Sequence, residues 1–193
     1  MKWFSAVLLS AICVGALVVA AQDGEAPRIL FIAEDDNGKV WANLTLTRQR
    51  LDEPYLPMVV GVQNKSKRKA VISRESFRLV GPDGTRYPLA ELREVRGEYD
   101  KFSADHRMAS AAGIPVDVWY RQRHLRETSF FPDIRLSRRP TVIEYATLSR
   151  GDGMADLLYF VSPRGLAPGK PFLLEVFPEG WETPLRLRLV LGE

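Results

Sequence analysis

The chain has 193 residues, of which 46% are hydrophobic and 26% charged, with a formal net charge of +3. That length suffices for one domain with a proper core, and the composition excludes a disordered chain. Charge this close to neutral gives no ground for nucleic-acid binding, and a single cysteine, Cys13, leaves no disulfide to form.

Residues 1–21 stand apart. Lys2 is followed by an uncharged run from Trp3 to Ala21. Val19 and Ala21 are small enough for a signal-peptidase site, which predicts a signal peptide and an exported, periplasmic or extracellular protein. The run is also about long enough to span a membrane, so an uncleaved N-terminal anchor is the alternative. Ile12 precedes Cys13 where a lipoprotein signal needs a small residue. Cleavage would leave 26 basic against 24 acidic side chains, a net of +2, and no cysteine. Thiol nucleophiles and cysteine metal sites are then excluded. Residues 22–193 are expected to form one domain.

Arg28 to Ala33 reads as a strand, with a turn at Asn37-Gly38. Val40 to Thr47 alternates: Val40, Ala42, Leu44 and Leu46 on one face, and Trp41, Asn43, Thr45 and Thr47 on the other. Met58, Val60 and Val62 alternate with Val59, Gly61 and Gln63 in the next strand. A basic loop follows, then a strand from Ala70 and another carrying Phe77 and Leu79. Pro82 and Asp83-Gly84 supply a turn, and Tyr87 lies on the short returning strand before Pro88.

The residues Asn64, Phe77, Leu79, Asp83, Gly84 and Tyr87 resemble, in kind and order, those of exported bacterial immunoglobulin-like domains of unknown function. In those domains an Asn ends one strand, a Phe-x-Leu strand follows, and an Asp-Gly turn leads to a Tyr. The likeness implies an antiparallel β-sandwich and brings no catalytic residue with it. It breaks off between Glu91 and Arg139, a stretch expected to be an α-helical insertion (91–139).

Within that insertion Tyr99, Phe102, His106 and Ala109 fall on one helical face. Residues 114–131 fit a helix or a strand. Afterwards the strand pattern resumes. Residues 141–148 read as a strand and 151–163 as a turn plus a strand, Phe172, Leu174 and Val176 share one face, and Leu185, Leu187, Leu189 and Leu191 alternate with Arg186 and Arg188. Phe77 and Leu187 are expected to face each other from opposite sheets.

The chemistry-bearing residues are few. His106 and His124 are the two histidines, and their spacing fits no metal motif. No serine sits in a Gly-x-Ser-x-Gly elbow, and no Gly-rich phosphate loop or cofactor motif is present. Glu94 and Glu98 lie one helical turn apart among arginines, the pattern of a solvated face. Arg150-Gly151-Asp152 matches an adhesion tripeptide but reads more simply as a hairpin turn.

The insertion is rich in arginine and aromatics. Arg121, Arg123 and Arg126 with Trp119 and Tyr120 have the composition of an interface. The sequence therefore predicts a non-catalytic module that binds an acidic protein or an envelope component. It would meet a membrane only if residues 1–21 remain attached. An envelope hydrolase with its site in 91–139 is the alternative.

Overall fold

The computed structural model describes residues 29–111, 128–133, 135, 141–162 and 169–191. The N-terminal segment lies outside the described residues. Among those described, the chain is mainly β, and its two four-stranded sheets are antiparallel and do not close into a barrel.

β1 (Leu30–Glu34) and β2 (Gly38–Asn43) form a hairpin. Its turn is closed by Asp35, whose Oδ1 accepts the backbone N–H groups of Asn37 (2.8 Å) and Gly38 (3.0 Å). Gly38 is needed for space: a Cβ there would lie 2.3 Å from the Trp181 ring. The strand expected to run to Thr47 stops at Asn43, because the Asn43 side chain accepts the N–H of Thr45 (2.9 Å) and turns the backbone. Thr45–Arg48 is instead a single helical turn, α1, with Leu46 still buried. Trp41, on the face opposite Val40 and Ala42, is buried as well, over Gly61.

β3 (Tyr55–Asn64) is the central strand. It pairs with β2 on one side and β10 (Gly153–Val161) on the other, giving the sheet order β1-β2-β3-β10. All its residues but Gln63 are buried, so both faces are covered rather than one. Its last residue, Asn64, is a buried hub. The Asn64 Nδ2 donates to the carbonyls of Arg68 (2.8 Å) and Leu148 (3.0 Å), and its Oδ1 accepts from Trp181 Nε1 (3.2 Å).

β4 (Ala70–Ser73) is followed by a 3-10 turn, Arg74–Ser76, closed by reciprocal Ser73–Ser76 capping. β5 (Phe77–Val80) then reaches the turn in which Gly84 takes φ +83°, as the Asp-Gly pair predicts, and β6 (Arg86–Tyr87) returns. β11 (Pro171–Val176) and β12 (Leu185–Val190) complete a second sheet of order β12-β11-β5-β6. Their alternation is borne out: Phe172, Leu174, Val176, Leu185, Leu187 and Leu189 are buried. Phe77 and Leu187 are both in the core, but in this same sheet rather than opposite ones.

α2 (Leu92–Glu98) and α3 (Phe102–Ala111) fall inside 91–139, and α3 holds most of the predicted helical face. β7 (Thr128–Ser129) lies parallel to β8 (Thr141–Val142), and β9 (Tyr145–Leu148) pairs with β4. The Arg-Gly-Asp tripeptide is a tight turn with Gly151 at φ +84°. It joins β9 to β10, which lie in different sheets, so it is a turn but not a hairpin. The buried side chains of all these elements form one hydrophobic core.

Candidate functional site

Tyr159 of β10 is the point on which the helical excursion converges. Its ring meets Tyr99 (5.9 Å between centroids), Phe102 (5.3 Å), His106 (6.2 Å) and Phe131 (5.2 Å). These rings are apolar in bulk, yet three carry polar atoms that burial obliges to find partners. The hydroxyl of Tyr159 donates to the carbonyl of Phe102 (3.4 Å). Burial pushes its phenol well above the ordinary range.

On one side of this cluster Asp105 of α3 is fully buried. It accepts from Arg50 Nε (3.0 Å) at Oδ1 and from the Tyr99 hydroxyl (2.8 Å) at Oδ2. Arg50 follows α1 in the chain, so this bond ties α3 to the turn after β2. Burial raises the Asp105 carboxyl, while Tyr99 and Arg50 pull it back. The Tyr99 phenol is raised by burial and by its bond to Asp105.

On the other side, Asp156 of β10 holds residues 129–131. It accepts from Ser129 Oγ (2.6 Å), Phe130 N–H (2.7 Å) and its neighbour Leu157 N–H (2.9 Å). Burial raises its carboxyl to about 6, against these three bonds. Ser129 Oγ in turn accepts from Phe131 N–H (2.9 Å). Phe130 packs edge-on against Phe77 (6.2 Å) in the core, and Arg74 lies 4.8 Å above the Phe131 ring. Arg96 of α2 donates to the Pro132 carbonyl, closing the two arms of the excursion on each other.

His106 and Asp133 sit between these arms. Among the described residues, the buried atoms His106 Nε2 and Asp133 Oδ2 have no hydrogen-bond partner. Burial lowers the imidazole to about 4; Asp133 and the Phe131 carbonyl oppose that shift. The ring is therefore neutral at pH 7. Ser129 is not activated by it: the serine's hydrogen bonds go to Asp156 and Phe131. A nucleophilic serine needs an adjacent base, and a carboxylate that also holds two backbone N–H groups is a poor one.

Among the described residues no three His, Cys, Asp or Glu side chains are grouped to hold a metal ion. Glu94 and Glu98 are exposed on α2, as the solvated-face reading predicts. The predicted partner residues Trp119, Tyr120, Arg121, Arg123 and Arg126, and the second histidine, His124, lie outside the described residues. The excursion's other rings, Phe130 and Phe131, are wholly buried within the domain. Sequence reading missed Arg50, Asp105 and Asp156. The available signal was a carboxylate inside an otherwise apolar run, as at Asp156 between Ala155 and Leu157, because such a charge is rarely buried unpaired.

No family model, no curated protein and no solved structure matches this chain.

Proposed function

We propose that the chain is an exported immunoglobulin-like β-sandwich that acts without catalysis, binding an acidic protein or envelope component through its 91–139 excursion. Two four-stranded antiparallel sheets over one core support the sandwich reading. One observation carries the functional part. The excursion is fastened on both sides of its arginine-rich run: by Arg50, Asp105 and Tyr99 before it, and by Asp156, Ser129 and Phe130 after it. In sequence, Arg121, Arg123 and Arg126, with Trp119 and Tyr120, fall between these two anchored segments, and binding residues tend to lie on such excursions from a scaffold.

Replacing Arg121, Arg123 and Arg126 together with Ala tests this. Capture of an acidic partner from envelope extract should weaken and lose its salt dependence, with the melting temperature unchanged. A triple variant that melts normally and captures every partner of the parent would overturn it.

That His106 Nε2 and Asp133 Oδ2 have no partner among the described residues favours a second reading, an envelope hydrolase using His106 as base. It requires turnover of ester or amide substrates that His106→Gln abolishes while leaving the fold intact.

A further inference from the structure

The outer face of the β12-β11-β5-β6 sheet has a composition that the fold does not require. Strand alternation turns Arg186 and Arg188 of β12, Leu173 and Glu175 of β11, Arg78 and Val80 of β5 and Arg86 of β6 away from the core. Phe177 continues the outward row of β11, its N–H bonded to the Ser76 carbonyl (2.8 Å). The pairing register sets these residues in two cross-strand rows. One reads Arg188, Leu173, Val80, Arg86, and the other Arg186, Glu175, Arg78.

Four arginines against one glutamate give the face a net of +3, equal to the formal charge of the whole chain. The glutamate is already engaged, accepting from Arg186 Nε (2.8 Å). Arg78, Arg86 and Arg188 are exposed, and their side chains make no hydrogen bond or ion pair with a described residue. Solubility alone would explain scattered arginines. What sets this face apart is that Leu173 (38% exposed) and Phe177 (46% exposed) stand among these arginines.

We propose that this face lies against an anionic lipid bilayer. The charges are spread in two dimensions: about 7 Å separates Arg186 from Arg188 along the strand, and about 14 Å separates Arg188 from Arg86 across three strand spacings. A linear polyanion could follow one row only, whereas a planar anionic surface meets both. Arginine surrounding exposed Leu and Phe is the pairing that interfacial binding uses, charge for attraction and apolar side chains for the acyl boundary. The apolar run Trp3–Ala21, expected to enter or cross a membrane, ends just before residues 22–28 lead into this domain. A second copy of the chain is disfavoured as occupant, since two such faces would repel.

The test uses the full chain with Cys13→Ser and Leu173→Cys, labelled at residue 173 with an environment-sensitive dye. A dye on the sheet reports contact there whether or not the N-terminal run inserts on its own. Vesicles of equal parts phosphatidylglycerol and phosphatidylcholine should shift the emission to the blue, and phosphatidylcholine vesicles should not. The response should need roughly tenfold more lipid in high salt, as screening demands. Combined Arg78→Glu, Arg86→Glu and Arg188→Glu should abolish it. If those changes disturb folding, the salt comparison on the parent makes the same test. A dye at Ile32→Cys, on the other four-stranded sheet, should stay silent. The proposal fails if the 173 dye does not respond to the anionic vesicles, responds equally to neutral ones, ignores salt, or responds no more than the dye at 32. A response to an acidic protein with none to vesicles also overturns it.

Discussion

The β12-β11-β5 layer and the helical excursion are both buried, but by different means. In the layer every inward residue is apolar: Phe77, Leu79, Phe172, Leu174, Val176, Leu185, Leu187 and Leu189. Nothing there depends on a particular partner, so many apolar residues of similar volume would serve. The excursion also buries rings, but around Asp105, His106, Asp133 and Asp156, each of which needs a specific partner. The layer therefore stabilises by area and the excursion by pairing. Changes of side-chain size should dominate in the first, and changes of charge in the second.

The largest expected effect lies in the layer. Phe77→Ala removes a ring that is 2% exposed and packs on Phe130, and should cost about 3–5 kcal/mol in a denaturant melt. Arg188→Ala, on the outer face of the same layer, should stay within about 0.5 kcal/mol of the parent. Equal losses at the two positions would mean that the inward and outward faces are misassigned.

This contrast also decides what could be read from sequence. β11 and β12 are legible because period-two alternation needs only one solvated face, which the arginines mark. β3 is less so: both its faces are covered, and alternation does not reveal the second cover. The end of β2 is hidden because the Thr45 N–H donates to the Asn43 side chain, a local bond that overrides the apolar pattern of Leu44 and Leu46. The excursion is the least legible. Arg50 and Asp105 are far apart in sequence, and only the fold makes them partners. Asp156 stands alone in an apolar run of β10, and only the fold shows that it anchors residues 129–131.

The next effect sharpens the pairing side of the comparison. Asp105→Leu should cost about 3 kcal/mol, because it strands the Arg50 guanidinium and leaves the Tyr99 hydroxyl without its acceptor. Adding Arg50→Met should return part of that loss, since an apolar pair needs no partners. A melt of the double variant no better than the single one would show that the two residues do not act as a pair.

The smallest expected effect is a pair of opposed slopes with pH. His106 is depressed to about 4 in the folded chain against an ordinary 6.5, so the unfolded chain binds the extra proton between those values. Its contribution is fully present above pH 6.5 and is lost as pH falls toward 4. Asp156 is raised to about 6 against an ordinary 3.8, so there the folded chain holds the extra proton. Its burial costs stability above pH 6, and that cost is relieved as pH falls toward 3.8. Each shift is worth on the order of 2 kcal/mol, allowing for the part of each group that solvent reaches. The raised Asp105 works in the same direction as Asp156. His106→Gln should therefore tilt the profile between pH 6 and 4 toward gain on acidification, relative to the parent. Asp156→Asn should tilt it the other way, toward loss. Chemical melts at several pH values would read both tilts. Variants whose profiles run parallel to the parent's would show that neither group titrates within this window, and that charge burial does not distinguish the excursion from the layer.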